Sequence, residues 1–473
     1  MLVRELRRLV LLVVPLVVLL CIFFRRLDNS PIIPYYQISG WIGRTSSTSD
    51  GPLKQKEQEI IASQLNSQSS PSSSNGNKLF EAPSYDDDNN DKTLGESSAF
   101  LLTETHIELF SVSTPDRKYF KLRLGDKQSI NPNIIPHPIL ENTWTIVAQL
   151  HDPGDTAAAE FAELACDAVF DVNTGELSCV FPPIVLPIAS TGPGKCEGDL
   201  EYMSLNVGPH DARVFYGPQA IFTVYGSNSL RTCFGQWMQD FQVLINWGSG
   251  DGEPKQRNLF QMGTELHRPE PYSPTEKNWF IFWDLGGQMY AHYDVAPRRV
   301  FSKVEPDGSA GIDLAPLGVS AGDGWCMQMY MPKLESEYES IHQATNSLSV
   351  TMCQRSDAEC SPSHANTILF TVFQHKTFRG FHSVYEPYVM TFRQTPPFQV
   401  HGISRKPLWI HGRDARSRMF YVTSVSWRAR GQRYHGYLDD VLFLGFGIED
   451  RDSAGIDVLA GDLLADLDLC EEV

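Results

Sequence analysis

The segment Gly208-Pro-His-Asp-Ala-Arg-Val-Phe-Tyr places a carboxylate and a guanidinium at the start of an apolar run. Asp211 directly precedes Ala212–Tyr216, which reads as a β-strand, and Arg213 interrupts that strand. A carboxylate in such a position could transfer a proton in catalysis, and the nearby guanidinium would keep it ionised. The two residues could instead form an ion pair that fixes a β-hairpin. We take Asp211 as the candidate catalytic residue and Arg213 as a candidate substrate-binding residue.

Polar residues also precede other apolar strands. Lys277 and Asn278 stand before the run WFIFW, where an ammonium and an amide could bind a phosphate or sugar hydroxyls. The same stretch could equally be an ordinary turn. Further candidates for a carbohydrate cleft are Asn346, His375, Lys376 and the segment Tyr385-Glu-Pro-Tyr.

Motifs of several common enzyme classes are absent from the sequence. There is no dinucleotide-binding glycine fingerprint, no P-loop, no Gly-x-Ser-x-Gly elbow and no His-Glu-x-x-His pair. Two Asp-x-Asp pairs, Asp86/Asp88 and Asp466/Asp468, lie in acidic surroundings that explain them without a metal. The formal charge of −18 argues against a nucleic-acid partner, which would require clustered cations. We therefore expect no metal, no cofactor and no nucleic acid.

Short β runs separated by a few turn residues extend from about residue 99 to the C-terminal region. They are predicted at Thr143–Leu150, Ala212–Tyr216, Ala220–Tyr225, Trp279–Trp283, Gln288–Tyr293, Ser347–Met352, Thr367–Gln374, Tyr388–Arg393, Phe420–Trp427 and Val441–Ile448. Hairpins repeated over 300 residues favour an all-β propeller, with a large β-sandwich or β-helix as the alternative. Two segments look helical: Asp155–Ala168, taken as a surface decoration, and Gly455–Leu469, taken as a C-terminal acidic helical cap.

The N-terminal region predicts a membrane anchor. Leu9–Phe24 is an unbroken apolar run, roughly 24 Å long as a helix, and Arg25 and Arg26 occupy the place where a cleaved signal peptide would carry small residues. We predict a cytoplasmic tail at 1–8, a transmembrane signal anchor at 9–26, a disordered stalk at 27–97 and a lumenal body at 98–473. This layout is that of a single-pass type II protein of the Golgi or endoplasmic reticulum.

Eight cysteines in the body form an even set, which suits an oxidising compartment. Their connectivity cannot be derived from spacing alone. Cys353 and Cys360 flank a short polar loop and are expected to pair with each other. There is no N-glycosylation sequon and no Cys-x-x-Cys zinc motif.

Four landmarks in order resemble one known group of proteins. They are the Asn-Pro of NPNIIPHP (Asn131–Pro138), the Asp-Ala-Arg of Asp211–Arg213, the Lys277–Asn278 pair and the Gly-x-x-Asp of the closing run LFLGFGIED. Together they resemble the five-bladed β-propeller clan of β-mannoside phosphorylases and β-1,2-mannosyltransferases. The pattern also looks like that of a group of fungal single-pass membrane proteins.

That resemblance implies a five-bladed propeller over about residues 100–460 and a role for each landmark. Asp211 would be the acid/base carboxylate, Arg213 would orient it or the donor, and Lys277 with Asn278 would contact phosphate or sugar. Asn131 would join the substrate-binding set. Positional matches for a phosphate group in the late loops are Arg298, Arg299, His375 and Lys376.

The leading interpretation is a membrane-anchored lumenal enzyme, an inverting mannosyltransferase-like glycosyltransferase. Its co-substrate would be a nucleotide sugar such as GDP-mannose or a sugar phosphate, and its acceptor a glycan or glycolipid. The alternatives are a glycoside hydrolase or phosphorylase on the same scaffold and a non-catalytic lectin-like binding protein. A hydrolase needs a second carboxylate, for which the candidates are Asp284, Asp294 and Glu386. An enzyme should place Asp211 beside Lys277 in the central funnel, whereas a binding protein need not.

Overall fold

The computed structural model describes residues 104–151, 160–171, 173–247, 259–320, 322–379, 382–414 and 419–470. The predicted tail, anchor and stalk lie outside these ranges, so they stay predictions. Among the described residues, no helix combines the length and apolar character that crossing a bilayer requires.

β-Strands make up most of the regular structure in these ranges. The strands are β1 (Ile107–Leu109), β2 (Phe120–Arg123), β3 (Ser129–Pro136), β4 (Trp144–Leu150), β5 (Glu163–Phe170), β6 (Leu177–Cys179), β7 (Ile184–Val185), β8 (His210–Tyr216), β9 (Ile221–Asn228), β10 (Phe234–Asp240), β11 (Thr264–Glu265), β12 (Phe280–Trp283), β13 (Met289–Asp294), β14 (Val300–Lys303), β15 (Glu339–Gln343), β16 (Leu348–Thr351), β17 (Thr367–Arg379), β18 (His382–Arg393), β19 (Val400–Ser404), β20 (Leu408–Ile410), β21 (Phe420–Trp427), β22 (His435–Tyr437), β23 (Val441–Ile448), β24 (Asp452–Leu459) and β25 (Leu467–Leu469). The α-helices are α1 (Ala315–Ser320), α2 (Asp323–Tyr330) and α3 (Ala460–Leu463), and 3₁₀ turns cover Gly198–Leu205 and Phe241–Val243.

Antiparallel meanders define the sheets. One sheet has the order β11-β10-β9-β8, and a second has the order β12-β13-β14. A third runs β22-β16-β17-β18-β19-β25, with β15 also on β17. The largest runs β21-β23-β24-β2-β6-β5-β4-β3, with β7 on β5, and β1 pairs with β20. All ten predicted strands are present, the all-β prediction is confirmed, and the meanders are consistent with a propeller-like fold. The predicted ring of five separate blades is not seen among the described residues, because the parallel pairing of β2 with β6 joins two meanders into one sheet.

Both helical predictions are wrong in the residues that the structure describes. Of Asp155–Ala168, residues 155–159 lie outside the described ranges, and residues 163–168 belong to β5, which pairs with β4 along six residues. Of Gly455–Leu469, residues 455–459 belong to β24, which pairs with β23 over its whole length, and the single helical turn α3 and the strand β25 follow. Short apolar runs fit a buried strand as well as a helix face, and here the neighbouring strand decides.

The strands of the core are buried on both faces. All four residues of β12 are buried, and Phe282 packs against Phe301, Phe392 and Phe398, which belong to β14, β18 and the loop before β19. Strands covered on both sides read as continuous apolar runs, which is why WFIFW lacks alternation.

Polar side chains tie neighbouring meanders together near the centre. The Asn133 amide, on β3, donates to the carbonyl of Ala212 at 2.7 Å and accepts from the amide of Val214 at 3.0 Å, both on β8. Asn346 makes the same pair of bonds to Val425 on β21, at 2.9 and 3.1 Å. The Thr423 hydroxyl, also on β21, donates to the carbonyl of Pro132 at 2.6 Å. These bonds satisfy backbone groups that have no ladder partner.

All eight body cysteines are paired. The predicted bond between Cys353 and Cys360 is confirmed, and the other pairs are Cys166–Cys179, Cys196–Cys233 and Cys326–Cys470.

We expect Asn133→Leu to destabilise the protein by about 3 kcal/mol, because it leaves two buried backbone groups without partners at roughly 1–3 kcal/mol each. Urea unfolding followed by tryptophan fluorescence measures the change. Asn173→Ala, at an exposed turn, is the control and should stay within about 0.5 kcal/mol of the parent. Equal midpoints for the two variants would show that the Asn133 bridge contributes nothing.

Candidate active site

Left-handed backbone conformations mark the centre of the molecule. Asn131, Asp211, Asn278 and Asp450 have φ values of 54°, 51°, 59° and 47°. The first two lie at the starts of β3 and β8, the third precedes β12, and the fourth follows β23. Asn and Asp tolerate this conformation better than other residues with a Cβ. These positions correspond to the four sequence landmarks, which are spread over 320 residues of chain.

Two of these residues occupy β-bulges. The register of β3 on β4 shifts between Ile130 and Asn133, and that of β8 on β9 shifts between His210 and Arg213. A bulge inserts an extra residue and re-aims its side chain away from the regular alternation. Asn131 and Asp211 thereby reach each other, and the Asn131 Nδ2 donates to Asp211 Oδ1 at 2.6 Å.

Asp211 is paired on its other oxygen with Lys277. The Lys277 Nζ atom lies 3.4 Å from Asp211 Oδ2 and 5.2 Å from the centre of the Phe234 ring. The face of this ring stabilises the ammonium by a cation–π interaction. The Asp211 side chain keeps 28% of its surface exposed, so solvent reaches it although it lies deep among protein atoms. Burial alone would raise the pKa of Asp211, but the positive charges of Lys277 and Arg213 outweigh burial and lower it to about 2. Asp211 is therefore ionised at neutral pH.

Asp450 is a second carboxylate, and it lies near enough to Asp211 for the two charges to interact. Burial raises its pKa to about 6, the negative charges of Asp211 and Glu449 add to the rise, and Lys277 and Lys376 oppose it. Two neighbouring carboxylates with pKa values driven apart are the arrangement in which one stays ionised while the other exchanges a proton near neutrality.

Lys376 and two tyrosines complete the cluster. The Lys376 Nζ lies 5.6 Å from the centre of the Tyr385 ring, and burial lowers its pKa while the Asp450 charge raises it. Tyr385 meets Tyr421 edge-to-face at 4.9 Å, and the Tyr421 hydroxyl donates to the carbonyl of Gln343 at 3.3 Å. Aromatic faces beside charged groups suit the binding of a sugar ring.

The Arg213 side chain binds backbone carbonyls, whereas at Asn278 the backbone carbonyl is bound by another side chain. The Arg213 guanidinium donates to the carbonyl of Asp211 at 3.0 Å and to that of Ala344 at 3.3 Å. This arrangement orients Asp211, one of the two roles the resemblance implied. The Asn278 carbonyl accepts from the Gln343 amide at 3.1 Å, which links β12 to the start of the next meander.

Other predicted residues do not contact Asp211. Asn346 is buried as a bridge to β21, and His375 pairs with Glu339 at 3.3 Å. His375 and Lys376 are adjacent on β17, so their side chains point to opposite faces, and only Lys376 faces the cluster. The two arginines matched by position form ion pairs with other residues: Arg298 with Asp313 at 2.8 Å and Arg299 with Asp323 at 2.7 Å.

The three candidates for a second carboxylate also lie elsewhere. Asp294 pairs with Arg268 at 2.5 Å, Glu386 pairs with His106 at 3.3 Å, and Asp284 accepts from the Tyr290 hydroxyl at 3.2 Å. Asp450 takes that place instead. The closing motif Gly447-Ile-Glu-Asp pointed to it, and the segment Tyr385-Glu-Pro-Tyr pointed to Tyr385, but Tyr421 carried no comparable signal.

A cavity of about 1010 Å³ opens at the C-terminal end of β8 and β12, the two inner strands whose N-terminal ends carry the charged cluster. Its walls include Pro218 and Asp284, which follow the C-terminal ends of β8 and β12, whereas Asp211 and Asn278 lie at the N-terminal ends of the same strands. The charged cluster and this cavity are therefore separate features. Within the described ranges, no three His, Cys, Asp or Glu residues are grouped so that they could hold a metal ion.

No protein-family model matches the chain, and no curated protein matches its sequence. Among solved structures, it is similar to the beta-1,2-mannobiose phosphorylase from Listeria innocua, at a TM-score of 0.40 and 10% identity over 76% of this chain and 96% of the other. It is also similar to MPT-1, a GDP-Man-dependent mannosyltransferase from Leishmania mexicana, at 0.36 and 8% over 75% and 93%. The catalytic domain of the Coprinopsis cinerea GH62 alpha-L-arabinofuranosidase matches at 0.37 and 9% over 73% and 97%. Similarity at this level assigns no function, which has to come from the site.

We predict that Asp211→Asn lowers the pKa of Asp450, because the negative charge of Asp211 is one of the causes that raise it. The value should fall from about 6 but stay above the ordinary aspartate range, since burial is the larger cause. Carboxyl ¹³C NMR on aspartate-labelled protein measures the shift. Asp116→Asn, at an exposed position, is the control. An Asp450 that titrates identically in both variants would show that the two carboxylates do not interact.

Proposed function

We propose that the chain is a carbohydrate-active enzyme, an inverting glycosyltransferase that takes a sugar from a phosphate-bearing donor. The observation that carries the proposal is the convergence of two carboxylates, Asp211 and Asp450, with two ammonium groups, Lys277 and Lys376. A lectin-like binding protein does not require Asp211 beside Lys277, so the 3.4 Å contact between their side chains favours an enzyme.

The lysines suit a departing phosphate. A sugar leaving group without charge needs no cation, whereas a phosphate or nucleoside diphosphate gains negative charge as the glycosidic bond breaks. Lys277 and Lys376 are the cationic side chains that act electrostatically on Asp450, in a chain whose formal charge is −18. We propose that they bind the phosphate of a nucleotide sugar such as GDP-mannose or of a sugar phosphate.

The carboxylates divide the remaining work. Asp450, with a pKa of about 6, is unprotonated at neutral pH and accepts the proton of the acceptor hydroxyl as that oxygen attacks the anomeric carbon. Asp211 stays ionised, binds the sugar and stabilises the positive charge that develops on its ring. Attack from the face opposite the leaving phosphate inverts the anomeric configuration. Tyr385 and Tyr421 provide apolar surface for the sugar.

The finer parts of the proposal concern partners and place. The acceptor is a glycan or glycolipid, and the chain is a single-pass type II protein of the Golgi or endoplasmic reticulum with a lumenal body. Four disulfides within the body support an oxidising compartment.

The divided pKa values favour a second candidate, an inverting hydrolase or phosphorylase. In that case Asp450 would be protonated and would donate to the departing glycosidic oxygen, while water or phosphate attacked from the opposite face. The two candidate functions therefore differ in the role of Asp450, which accepts a proton in the transferase and donates one in the hydrolase or phosphorylase.

Glycosyl transfer is tested with the full-length chain in detergent, GDP-mannose and short mannoside acceptors. We expect a gain of one sugar by mass spectrometry, and a loss of at least about 100-fold in rate for Asp211→Asn, since the group acts on the transition state. Asp116→Asn should match the parent. A gain that survives in Asp211→Asn would remove that residue from the mechanism. Glycan binding without any gain across a donor panel would favour the lectin-like alternative.

The pH dependence separates transfer from hydrolysis. If Asp450 is a base, the deprotonated form is active, so the rate should rise with pH through about 6 and then level off. If Asp450 is an acid, the rate should fall through the same value. Steady-state rates between pH 4.5 and 8 for the parent and Asp450→Asn distinguish the two. The titration near pH 6 should vanish in Asp450→Asn, and its persistence would contradict the assignment.

A further inference from the structure

The bulge that aims Asp211 leaves two backbone amides of β8 outside the ladder. His210 pairs with Gly226 and Arg213 with Val224, so the intervening residues Asp211 and Ala212 have no register partners on β9. An amide buried without a partner is costly. The partners of these two amides must therefore come from elsewhere in the fold.

Side chains from the preceding sheet supply them. The Gln149 Oε1, on β4, accepts from the amide of Asp211 at 2.9 Å. The Glu163 Oε1, on β5, accepts from the amide of Ala212 at 3.0 Å. Gln149 and Glu163 are themselves opposite each other in the β4–β5 pairing and are 4% and 0% exposed. Two fixed acceptors thus meet two consecutive amides.

Glu163 is an unusual residue for this position. Its second oxygen, Oε2, is buried and has no hydrogen-bond partner among the residues that the structure describes. Burial raises its pKa to about 8; Asp211 raises it further, while the Ala212 amide and Arg213 lower it. A carboxyl group that keeps its proton at neutral pH can accept from an amide without adding a negative charge behind Asp211.

We propose that Gln149 and Glu163 are positioning residues for the carboxylate of Asp211, with Glu163 acting as a neutral acid. By accepting from the amides of Asp211 and Ala212, they fix the left-handed conformation of Asp211. The carboxylate of Asp211 thereby stays within reach of Asn131 and Lys277. The part of this proposal that concerns catalysis rests on the proposed function. The positioning itself does not.

The test compares Glu163→Gln, Glu163→Ala and Gln149→Met. In Glu163→Gln the side chain keeps an uncharged oxygen that can accept the hydrogen bond, whereas each of the other two variants removes an acceptor. Gln394→Ala is the matched control, because Gln394 is also a buried glutamine that bonds a backbone group, the Trp283 carbonyl at 3.1 Å, but at the far end of the inner strands. The readout is the pKa of Asp211 from carboxyl ¹³C NMR of the full-length chain, assigned with Asp211→Asn.

We expect Glu163→Gln and Gln394→Ala to leave the low pKa of Asp211 in place. Glu163→Ala and Gln149→Met should each raise it by about one unit or more toward the ordinary value of about 3.9, because the carboxylate moves away from Lys277. Gln149→Met keeps the test available if Glu163→Ala does not fold. An unchanged pKa in the folded variants that lack an acceptor would overturn the proposal. A Glu163→Gln variant that behaves like Glu163→Ala would overturn the neutral-acid assignment.

Turnover gives a second, separable readout. If the parent transfers sugar, the variants that lack an acceptor should lose about 10-fold or more in kcat with little change in KM, since only the reacting geometry is disturbed. An equal loss in Gln394→Ala would indicate general loosening and contradict positioning. If the NMR shifts follow expectation but the parent transfers no sugar, the proposed function fails while the positioning role stands.

Discussion

The left-handed backbone conformation of Asp211 is the constraint on which the rest of the site depends. An aspartate in regular β-structure at this position would follow the alternation of β8 and could not reach Asn131 and Lys277 together. The bulge makes the contact possible, but it also removes two amides from the ladder. The fold offsets that loss with Gln149 and Glu163, and Asn133 satisfies the next carbonyl along the strand.

The same solution recurs around the centre. Asn131, Asn278 and Asp450 share the left-handed conformation, and side chains of other strands bind the carbonyl of Pro132, next to Asn131, and that of Asn278. The stability of the fold and the geometry of the site are therefore coupled, because the hydrogen bonds that hold adjacent sheets together also orient the polar side chains of the site. The apolar core between the sheets stabilises the meanders but has no direct influence on which way these four side chains point.

Much of this could be predicted from sequence, and the omissions have physical causes. Short β runs such as WFIFW and the loop between Cys353 and Cys360 identified strands and one disulfide, because both signals are local. The helical interpretation of Gly455–Leu469 failed because an apolar run gains its secondary structure from the partner strand, here β23. Asp211, Lys277 and Asn131 were found together through ordered motifs. Tyr385 lay in a segment named for a carbohydrate cleft, whereas Tyr421 was missed, since the face of β21 that carries it is set by long-range register.

His375 and Lys376 illustrate this limit of prediction from sequence. The two residues are neighbours in sequence and both were candidates, yet strand alternation sends one to Glu339 and the other to the carboxylate cluster. Asp450 shows the converse. It lies in a motif noticed for its order along the chain, but its raised pKa depends on burial and on Asp211, which is 239 positions away in sequence and adjacent only in the fold.

The most direct test of the central claim is a crystal structure of the protein with a bound manno-oligosaccharide. The account predicts a sugar ring between Asp211 and Asp450, with its hydroxyls within hydrogen-bond distance of Asp211 and Lys277 and its face against Tyr385 or Tyr421. A sugar bound only in the cavity at the far end of the inner strands, with Asp211 and Asp450 untouched, would contradict it.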